Sequence, residues 1–155
     1  MKYVNTGVVF QEIPDEVTLS INISNCPCHC KGCHSTYLWE DIGEPLTAMT
    51  LTKMLEMYED DITCICFMGG DGETNVVNSL AQWLKTSHPN LHIGWYSGRE
   101  KLSANIDLQN FDYIKLGPYI ETRGGLNKKT TNQKLYKVTN KEMKDITYRF
   151  WKKNA

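Results

Sequence analysis

The sequence predicts an α/β fold whose sheet is mostly parallel. Apolar runs of strand length alternate along the chain with segments of helical periodicity, the order expected when strands are joined by helical crossovers. The 155 residues have the length of one domain, which we take as residues 1–155. Polar loops that contain glycine or cysteine follow two of the predicted strands, at the edge where α/β sheets bind ligands.

The first predicted elements are a strand, a helix and a second strand. Residues 17–24 alternate apolar with small polar side chains and are rich in β-branched types, so they predict a strand. Thr50 can cap a helix in which apolar residues recur at helical spacing from Leu51 to Tyr58. Residues 62–68 are almost all apolar, as expected of a strand that is buried on both faces.

The second half of the chain predicts another helix and further strands. Residues 76–84 carry apolar side chains at helical spacing, and residues 91–96 and 113–116 predict two strands. Alternating side chains at 146–151 favour a C-terminal β-hairpin that turns near residues 139–140. A short helix that begins at Asn140 is the alternative for this tail.

Composition excludes several classes of protein. The formal net charge of −1 argues against bulk attraction to nucleic acid or to an anionic membrane. No apolar run approaches the roughly 18 residues of a membrane span, and the N-terminus lacks a secretory signal. We therefore expect a cytoplasmic protein with no nucleic-acid or membrane partner. In a reducing compartment, its six cysteines indicate a metal site rather than disulfides.

Four of the cysteines fall within eight consecutive positions, 26 to 33. The spacing Cys26-x-x-x-Cys30-x-x-Cys33 places three thiolates on one tight loop, as around one face of an iron–sulfur cluster. Three ligands leave one iron open to an exchangeable ligand, by the logic that separates catalytic from structural metal sites. Gly32 permits a tight turn beside the cluster, and Cys28 is interpreted as an extra thiol that faces away.

Two other interpretations of this loop stay open. Structural zinc requires four ligands, which only the four clustered cysteines supply, because Cys64 and Cys66 lie in a predicted buried strand. A simple electron carrier also requires a fourth cluster ligand, and Cys28 is the nearby candidate. His29 and His34 are interpreted as surface or packing residues, with His34 the stronger candidate for the site.

A second loop of unusual composition follows residues 62–68. It consists of Gly69, Gly70, Asp71, Gly72 and Glu73. Two glycines let a chain pass close to a ligand, and a carboxylate can pair with an ammonium group. Gly-Gly-Asp is also a common turn, so a structural role is the alternative. Because this loop and the cysteine loop both follow strands, the sequence predicts one composite site.

These motifs resemble those of the radical S-adenosylmethionine enzymes. More specifically, the chain resembles the family of anaerobic ribonucleoside-triphosphate reductase activating proteins, the activases of class III ribonucleotide reductase. The resemblance implies a minimal partial (β/α) barrel of the radical S-adenosylmethionine type. It covers nearly the whole chain through the cysteine loop with Gly32 and His34, Trp39, Gly69-Gly70-Asp71, Trp95-Tyr96-Ser97-Gly98, Gly117-Pro118-Tyr119 and Thr130-Thr131-Asn132-Gln133.

The resemblance implies a 4Fe-4S cluster on Cys26, Cys30 and Cys33, which are then both metal ligands and catalytic residues. S-adenosylmethionine would occupy the open iron, and its reductive cleavage would generate a glycyl radical on the reductase. The implied partners are the large subunit of the class III reductase and a low-potential electron donor such as flavodoxin. The residues implied in cofactor binding are Gly32, Cys33, His34, Gly69, Gly70, Asp71, Tyr96 and Ser97.

Some positions depart from the family pattern or allow two roles. Gly72-Glu73 stands where the family usually has Pro-Leu, so either Asp71 or Glu73 can contact the amino group of S-adenosylmethionine. Tyr96 and Ser97 fit either the adenosine side of the site or simple packing.

The remaining cations and the partner loop complete the expectations. Lys115, Arg99 and Arg123 are interpreted mainly as solvated charges that could meet a carboxylate or the partner. We expect residues 123–133, which include Asn132 and Gln133, to face the partner. Activation of another glycyl-radical enzyme, such as pyruvate formate-lyase, and a non-catalytic zinc-binding adaptor are the alternative functions.

Overall fold

The computed structural model describes residues 1–58 and 60–151. Over these residues the chain forms eight strands, two α-helices and three short 3₁₀ helices. The strands are β1 Lys2–Val9, β2 Thr18–Ile23, β3 Glu44–Pro45, β4 Cys64–Met68, β5 His92–Tyr96, β6 Tyr113–Leu116, β7 Lys134–Thr139 and β8 Glu142–Asp145. The helices are α1 Ala48–Tyr58 and α2 Thr74–Ser87, and the 3₁₀ helices are Thr36–Trp39, Leu108–Asn110 and Thr147–Phe150.

All eight of these strands join one mixed sheet, in the order β3-β1-β2-β4-β5-β6-β7-β8. The central strands β2, β4, β5 and β6 are parallel, but four of the seven pairings are antiparallel. The prediction of a mostly parallel, partial (β/α) barrel of the radical S-adenosylmethionine type is therefore wrong. The described residues form a mixed sheet with two α-helices.

The two ends of the chain explain why the sheet is mixed rather than mostly parallel. The sequence pattern predicts no strand before residue 17, yet β1 pairs antiparallel with β2 and gives the short strand β3 a partner. At the opposite side of the sheet, β7 and β8 add two antiparallel pairings. Between β5 and β6, the described connection contains a 3₁₀ helix, Leu108–Asn110, where a (β/α) unit would have a full helix.

The predicted C-terminal hairpin is confirmed. β7 and β8 are antiparallel, with Thr139 opposite Glu142. Asn140 and Lys141 form the two-residue turn and have φ angles of 51° and 64°, as a type I′ turn requires. The alternating residues that suggested the hairpin lie beyond it, because Thr147–Phe150 is a 3₁₀ helix.

The predicted helices are present, but the cap of the first helix is displaced. α1 begins at Ala48, so Thr50 lies in its first turn. The hydroxyl of Thr47 accepts a hydrogen bond from the Thr50 N–H at 3.2 Å, which makes Thr47 the capping residue. Within the described residues, neither helix has the length and apolar character needed to cross a bilayer.

The sheet separates two apolar layers. One face packs against the helices through fully buried side chains such as Phe67, Ile93 and Trp95. The other face carries Cys64 and Cys66 and is covered by Ile13 and by residues near the C-terminus. The prediction that these two cysteines belong to the core is confirmed. Burial raises the pKa of both thiols, so they stay protonated and are poor metal ligands.

Candidate metal centre

The cysteine loop connects the end of β2 to the 3₁₀ helix Thr36–Trp39. Its start is anchored by two backbone hydrogen bonds of 2.9 Å, from the Asn25 N–H to the Glu40 carbonyl and from the Cys26 N–H to the Leu38 carbonyl. Farther along, His29 and Gly32 have φ angles of 45° and 79°. These left-handed conformations let the loop reverse direction within a few residues.

The four thiols of the loop are partly exposed and form no disulfide. A hydrogen bond from Cys28 lowers the pKa of Cys26 to about 6, and the same contact raises the pKa of Cys28. Cys33 Sγ accepts a hydrogen bond from the Ser35 N–H at 3.4 Å. Within the part of the chain that the structure describes, no three His, Cys, Asp or Glu side chains are close enough to hold a metal ion.

Cys28 points toward the loops that follow β4 and β5, and the expectation that it faces away from a cluster stays a prediction. Its Sγ lies 3.6 Å from Asp71 Oδ2. It also approaches the chain at Gly98, where an added Cβ would lie 2.9 Å from the same sulfur. Cys28 therefore lies at the junction of the cysteine loop and the loops that follow β4 and β5.

The Gly-Gly-Asp loop follows β4 and adjoins the cysteine loop. Gly69 and Gly70 have φ angles of 114° and 93°. A Cβ at Gly69 would lie 3.3 Å from the Ile23 carbonyl oxygen, and one at Gly70 would lie 2.5 Å from a Val77 methyl. Both glycines are thus explained by close packing of the loop against β2 and α2.

Asp71 and Glu73 lie in different surroundings. The Ser97 hydroxyl donates to Asp71 Oδ1 at 2.5 Å, and the Gly98 N–H donates to Oδ2 at 2.8 Å. The Glu73 carboxylate instead lies 3.2 Å from the α-amino group of Met1. Of the two carboxylates that the sequence left open, Asp71 is the one beside the cysteine loop.

The end of β5 holds Asp71 in place. Ser97 is 1% exposed and directs its hydroxyl at that carboxylate. Tyr96 lies on the other side of the strand, where its hydroxyl donates to the Glu12 carbonyl and burial raises its pKa. The structure therefore brings Ser97, but not the Tyr96 hydroxyl, to Asp71.

Lys115 is buried, so its interpretation as a solvated charge is wrong. It is 7% exposed, and its Nζ donates to the carbonyls of Ser97 and Gly117 at 3.1 and 2.8 Å. Burial lowers its pKa to about 8, an effect that nearby Asp71 opposes. No signal in the sequence distinguished Lys115 from a surface lysine, because a strand presents both faces.

Aromatic and acidic contacts hold the cysteine loop from outside. The ring of His29 stacks on Trp39, while the ring of His34 lies 5.7 Å from that of Tyr119. A Cβ at Gly32 would lie 3.1 Å from the carboxyl carbon of Glu121. The segment after β6 therefore packs on the far end of the loop, a contact that the sequence pattern did not reveal.

The Thr-Thr-Asn-Gln segment supports the loop expected to face a partner. The Thr130 hydroxyl donates to the Arg123 carbonyl at 2.6 Å, and the Asn132 amide donates to the Pro118 carbonyl at 3.0 Å. Gln133 is 8% exposed. Asn132 and Gln133 therefore hold the shape of the loop, and its exposed cations, including Lys128, are the groups that a partner can meet.

Two cavities lie near this edge of the sheet. One of about 480 Å³ is lined by Asp71, Ser97 and Arg99, among others. A larger one, of about 720 Å³, lies between Glu12, Tyr96 and the C-terminal segment, and no cysteine of the described residues lines either cavity. The smaller cavity is the one that adjoins the cysteine loop, because Asp71 contacts Cys28.

The chain also matches a family model described as a 4Fe-4S single cluster domain, over residues 16–143. The chain belongs to this family. The matched segment contains all six cysteines of this 4Fe-4S single cluster domain, together with Asp71 and Lys115. The prediction of an iron–sulfur protein is thereby confirmed. No curated protein and no solved structure is significantly similar to the chain.

The donor set of this 4Fe-4S single cluster domain fits its cluster. Iron–sulfur clusters are held by cysteine thiolates, and the loop offers four partly exposed thiols without disulfides. The lowered pKa of Cys26 favours the thiolate, the form that binds iron. The fit lies in the residue types, since the thiols do not converge on one point. The hydrogen bond from the Ser35 N–H to Cys33 Sγ is compatible with cluster binding, since cluster sulfurs accept such bonds.

Proposed function

We propose that this 4Fe-4S protein cleaves S-adenosylmethionine reductively and thereby generates a glycyl radical on an anaerobic, class III ribonucleotide reductase. The proposed cluster ligands are Cys26, Cys30 and Cys33, and the protein is then an activating oxidoreductase. The proposal rests on the cysteine loop and its neighbours and does not require a barrel.

One observation carries the proposal: a fixed carboxylate lies against the cysteine loop. Asp71 is 3.6 Å from the Cys28 sulfur and is oriented by Ser97 and Gly98. A ligand with an ammonium group that bound an open iron of the loop would therefore have a carboxylate beside the same loop.

The residues of the chain hold and orient, and the cofactors supply the chemistry. When bound, a reduced 4Fe-4S cluster supplies one electron to the sulfonium of S-adenosylmethionine, which yields methionine and a 5′-deoxyadenosyl radical that takes hydrogen from a glycine. Asp71 would pair with the methionine ammonium. Ser97 keeps that carboxylate in one orientation through its 2.5 Å hydrogen bond. The backbone near Gly32 and His34 would pack beside the cluster.

The proposed partners are the large subunit of the class III reductase and a low-potential electron donor such as flavodoxin. The loop at residues 123–133 supports a docking role because it is exposed, basic and held in one shape by Thr130 and Asn132. Its base packs on the cysteine loop through Glu121 and Gly32. A protein bound to this loop would therefore lie beside the cluster.

The decisive experiment is anaerobic incubation of the reconstituted protein with a class III reductase, S-adenosylmethionine and a chemical reductant. We expect a glycyl-radical signal in the electron paramagnetic resonance spectrum, together with methionine release. Cys30→Ala should abolish both. Cys64→Ala is the matched control and should retain both, because Cys64 is buried in the core. Methionine release without a radical on this reductase, but with one on pyruvate formate-lyase, would change the assigned partner.

Electron transfer by a four-cysteine cluster is the second candidate, and the hydrogen bond between Cys28 and Cys26 supports it. The Cys28→Ala variant separates the two functions. An activase keeps its cluster and its cleavage activity in this variant, whereas a four-cysteine carrier loses a ligand. A colourless protein that retains zinc after anaerobic reconstitution would exclude both and identify a zinc-binding adaptor.

A further inference from the structure

Lys115 is a charged side chain in an unusual place. It lies on β6, is 7% exposed, and is one of two charged residues, with Glu16, that the described part of the chain buries. Removing an ammonium group from water is costly unless it is hydrogen-bonded and paired with opposite charge. Lys115 therefore needs compensating partners on the buried side of the sheet.

The ammonium group has hydrogen-bond partners but no direct counter-ion among the residues that the structure describes. Its Nζ donates to the carbonyls of Ser97 and Gly117, and it lies 5.7 Å from the centre of the Tyr96 ring. Its pKa is lowered to about 8 by burial, while Asp71 and the thiols of Cys30, Cys28 and Cys26 act in the opposite direction. The acidic groups near Lys115 thus include those of the candidate metal centre, together with the Cys66 thiol of the core.

A continuous set of contacts joins Lys115 to the cysteine loop. The Lys115 ammonium binds the carbonyl of Ser97, whose hydroxyl binds Asp71. Asp71 in turn lies 3.6 Å from the sulfur of Cys28. Three neighbouring strands, β4, β5 and β6, thereby fix the position of one positive charge relative to the loop.

We propose that Lys115 is the buried counter-charge for the iron–sulfur cluster and sets how readily that cluster accepts an electron. The inference rests on the cluster ligands of the proposed function, though not on S-adenosylmethionine cleavage. Reduction adds one electron from an external reductant to the cluster without a proton, so the site becomes more negative by one charge. A fixed positive charge in a dry environment stabilises that state, since Coulomb energies grow as the local dielectric constant falls. Lys115 acts on the cluster through its electrostatic field without touching a substrate. It is therefore a positioning residue rather than a catalytic one.

Three substitutions separate charge from hydrogen bonding. Lys115→Met removes both, Lys115→Gln keeps N–H donors without charge, and Lys115→Arg keeps the charge. Lys53→Met is the matched control, because Lys53 is exposed on α1 and its charge is screened by water. The measurement is the midpoint potential of the reconstituted cluster, by anaerobic titration with dithionite in the absence of S-adenosylmethionine, with circular dichroism to check folding.

We expect the potential to shift to more negative values in Lys115→Met and Lys115→Gln, and to stay near the wild-type value in Lys115→Arg and Lys53→Met. If Lys115→Met fails to fold, the Gln and Arg variants decide. An unchanged potential in Lys115→Gln would overturn the proposal and leave Lys115 as a hydrogen-bonding residue. A shift as large in Lys53→Met would also overturn it. Because no S-adenosylmethionine is present, failure of radical generation would not affect this result.

Discussion

The imidazole of His29 lies flat on the indole of Trp39, with ring centroids 4.5 Å apart and planes 8° from parallel. His29 stands between Cys28 and Cys30 and has a left-handed φ of 45°, a conformation that costs free energy for any residue other than glycine. The stack therefore fastens a strained point of the cysteine loop to the 3₁₀ helix that contains Trp39.

Replacing Trp39 should loosen the loop and its cluster. Stacked aromatic pairs contribute about 1 kcal/mol beyond their buried area, so Trp39→Ala should release iron to a chelator roughly fivefold faster. Trp39→Phe should largely preserve the rate. Trp83→Ala on α2 is the control, because Trp83 contacts His88 and lies away from the loop. Equal release from all variants would show that the stack does not hold the cluster.

Asp71→Asn should separate substrate binding from cluster binding. The amide keeps the shape of the side chain but loses the charge that we propose to pair with the methionine ammonium. We expect the iron content to stay at the wild-type level and methionine release to fall by about tenfold to a hundredfold. Glu73→Gln tests the other carboxylate and should be nearly silent, since Glu73 contacts Met1. The reverse pattern would assign the contact to Glu73.

Gly32→Ala should destabilise the protein through backbone strain and crowding. The φ of 79° is unfavourable for alanine, and the new Cβ would lie 3.1 Å from Glu121. We expect a loss of about 1–2 kcal/mol in the free energy of unfolding, measured with urea. Gly7→Ala is the control, because nothing lies within 4 Å of its added Cβ. When Glu121→Ala is combined with Gly32→Ala, the part of the stability loss that is due to crowding should be recovered. If the losses of the two single variants simply add in the double variant, backbone strain alone is responsible.

Lys115 should add a pH-dependent component to the stability of the cluster-free protein. Its pKa is lowered from 10.5 to about 8, so the unfolded chain binds more protons between these values. Stability from this residue must therefore rise with pH across that window, by up to about 3 kcal/mol. The buried thiols Cys64 and Cys66, whose pKa is raised, act in the opposite direction.

The measurement is consequently a difference between wild-type protein and Lys115→Met, each unfolded with urea at several pH values from 7 to 11. The wild-type protein should gain stability relative to the variant as the pH rises. A difference that stays constant over this range would mean that Lys115 titrates normally in the folded protein.

Charge reversal on the exposed loop tests its docking role. Lys128→Glu combined with Lys129→Glu should weaken the complex with the reductase, most strongly at low ionic strength, while the cluster content stays unchanged. Lys53→Glu combined with Lys144→Glu, both at exposed positions outside this loop, controls for net charge. The readout is binding affinity at two salt concentrations. Unaltered affinity in the double variant would place the docking surface elsewhere.

Local patterns predicted the central elements well. The strands at β2, β4, β5 and β6 and both helices follow from periodicity and composition, whereas the alternation at residues 146–151 that suggested the hairpin belongs to a 3₁₀ helix. The direction of the strands at the sheet edges could not be predicted in this way, because β1 and β7 join the sheet by pairing with strands that are distant along the chain. A segment such as Lys2–Val9 is a strand only because Thr18–Ile23 offers it a partner.

The sequence by itself determined the chemistry of this protein. Closely spaced cysteines favour a metal centre with thiolate ligands in any fold, and their spacing can be read directly from the sequence. The tertiary structure alone decided which distant side chains lie beside the cysteine loop. It placed Asp71 against Cys28 and Glu73 against Met1, and it buried Lys115 behind Ser97. These relations depend on how strands align across a sheet, and no local pattern contains that information.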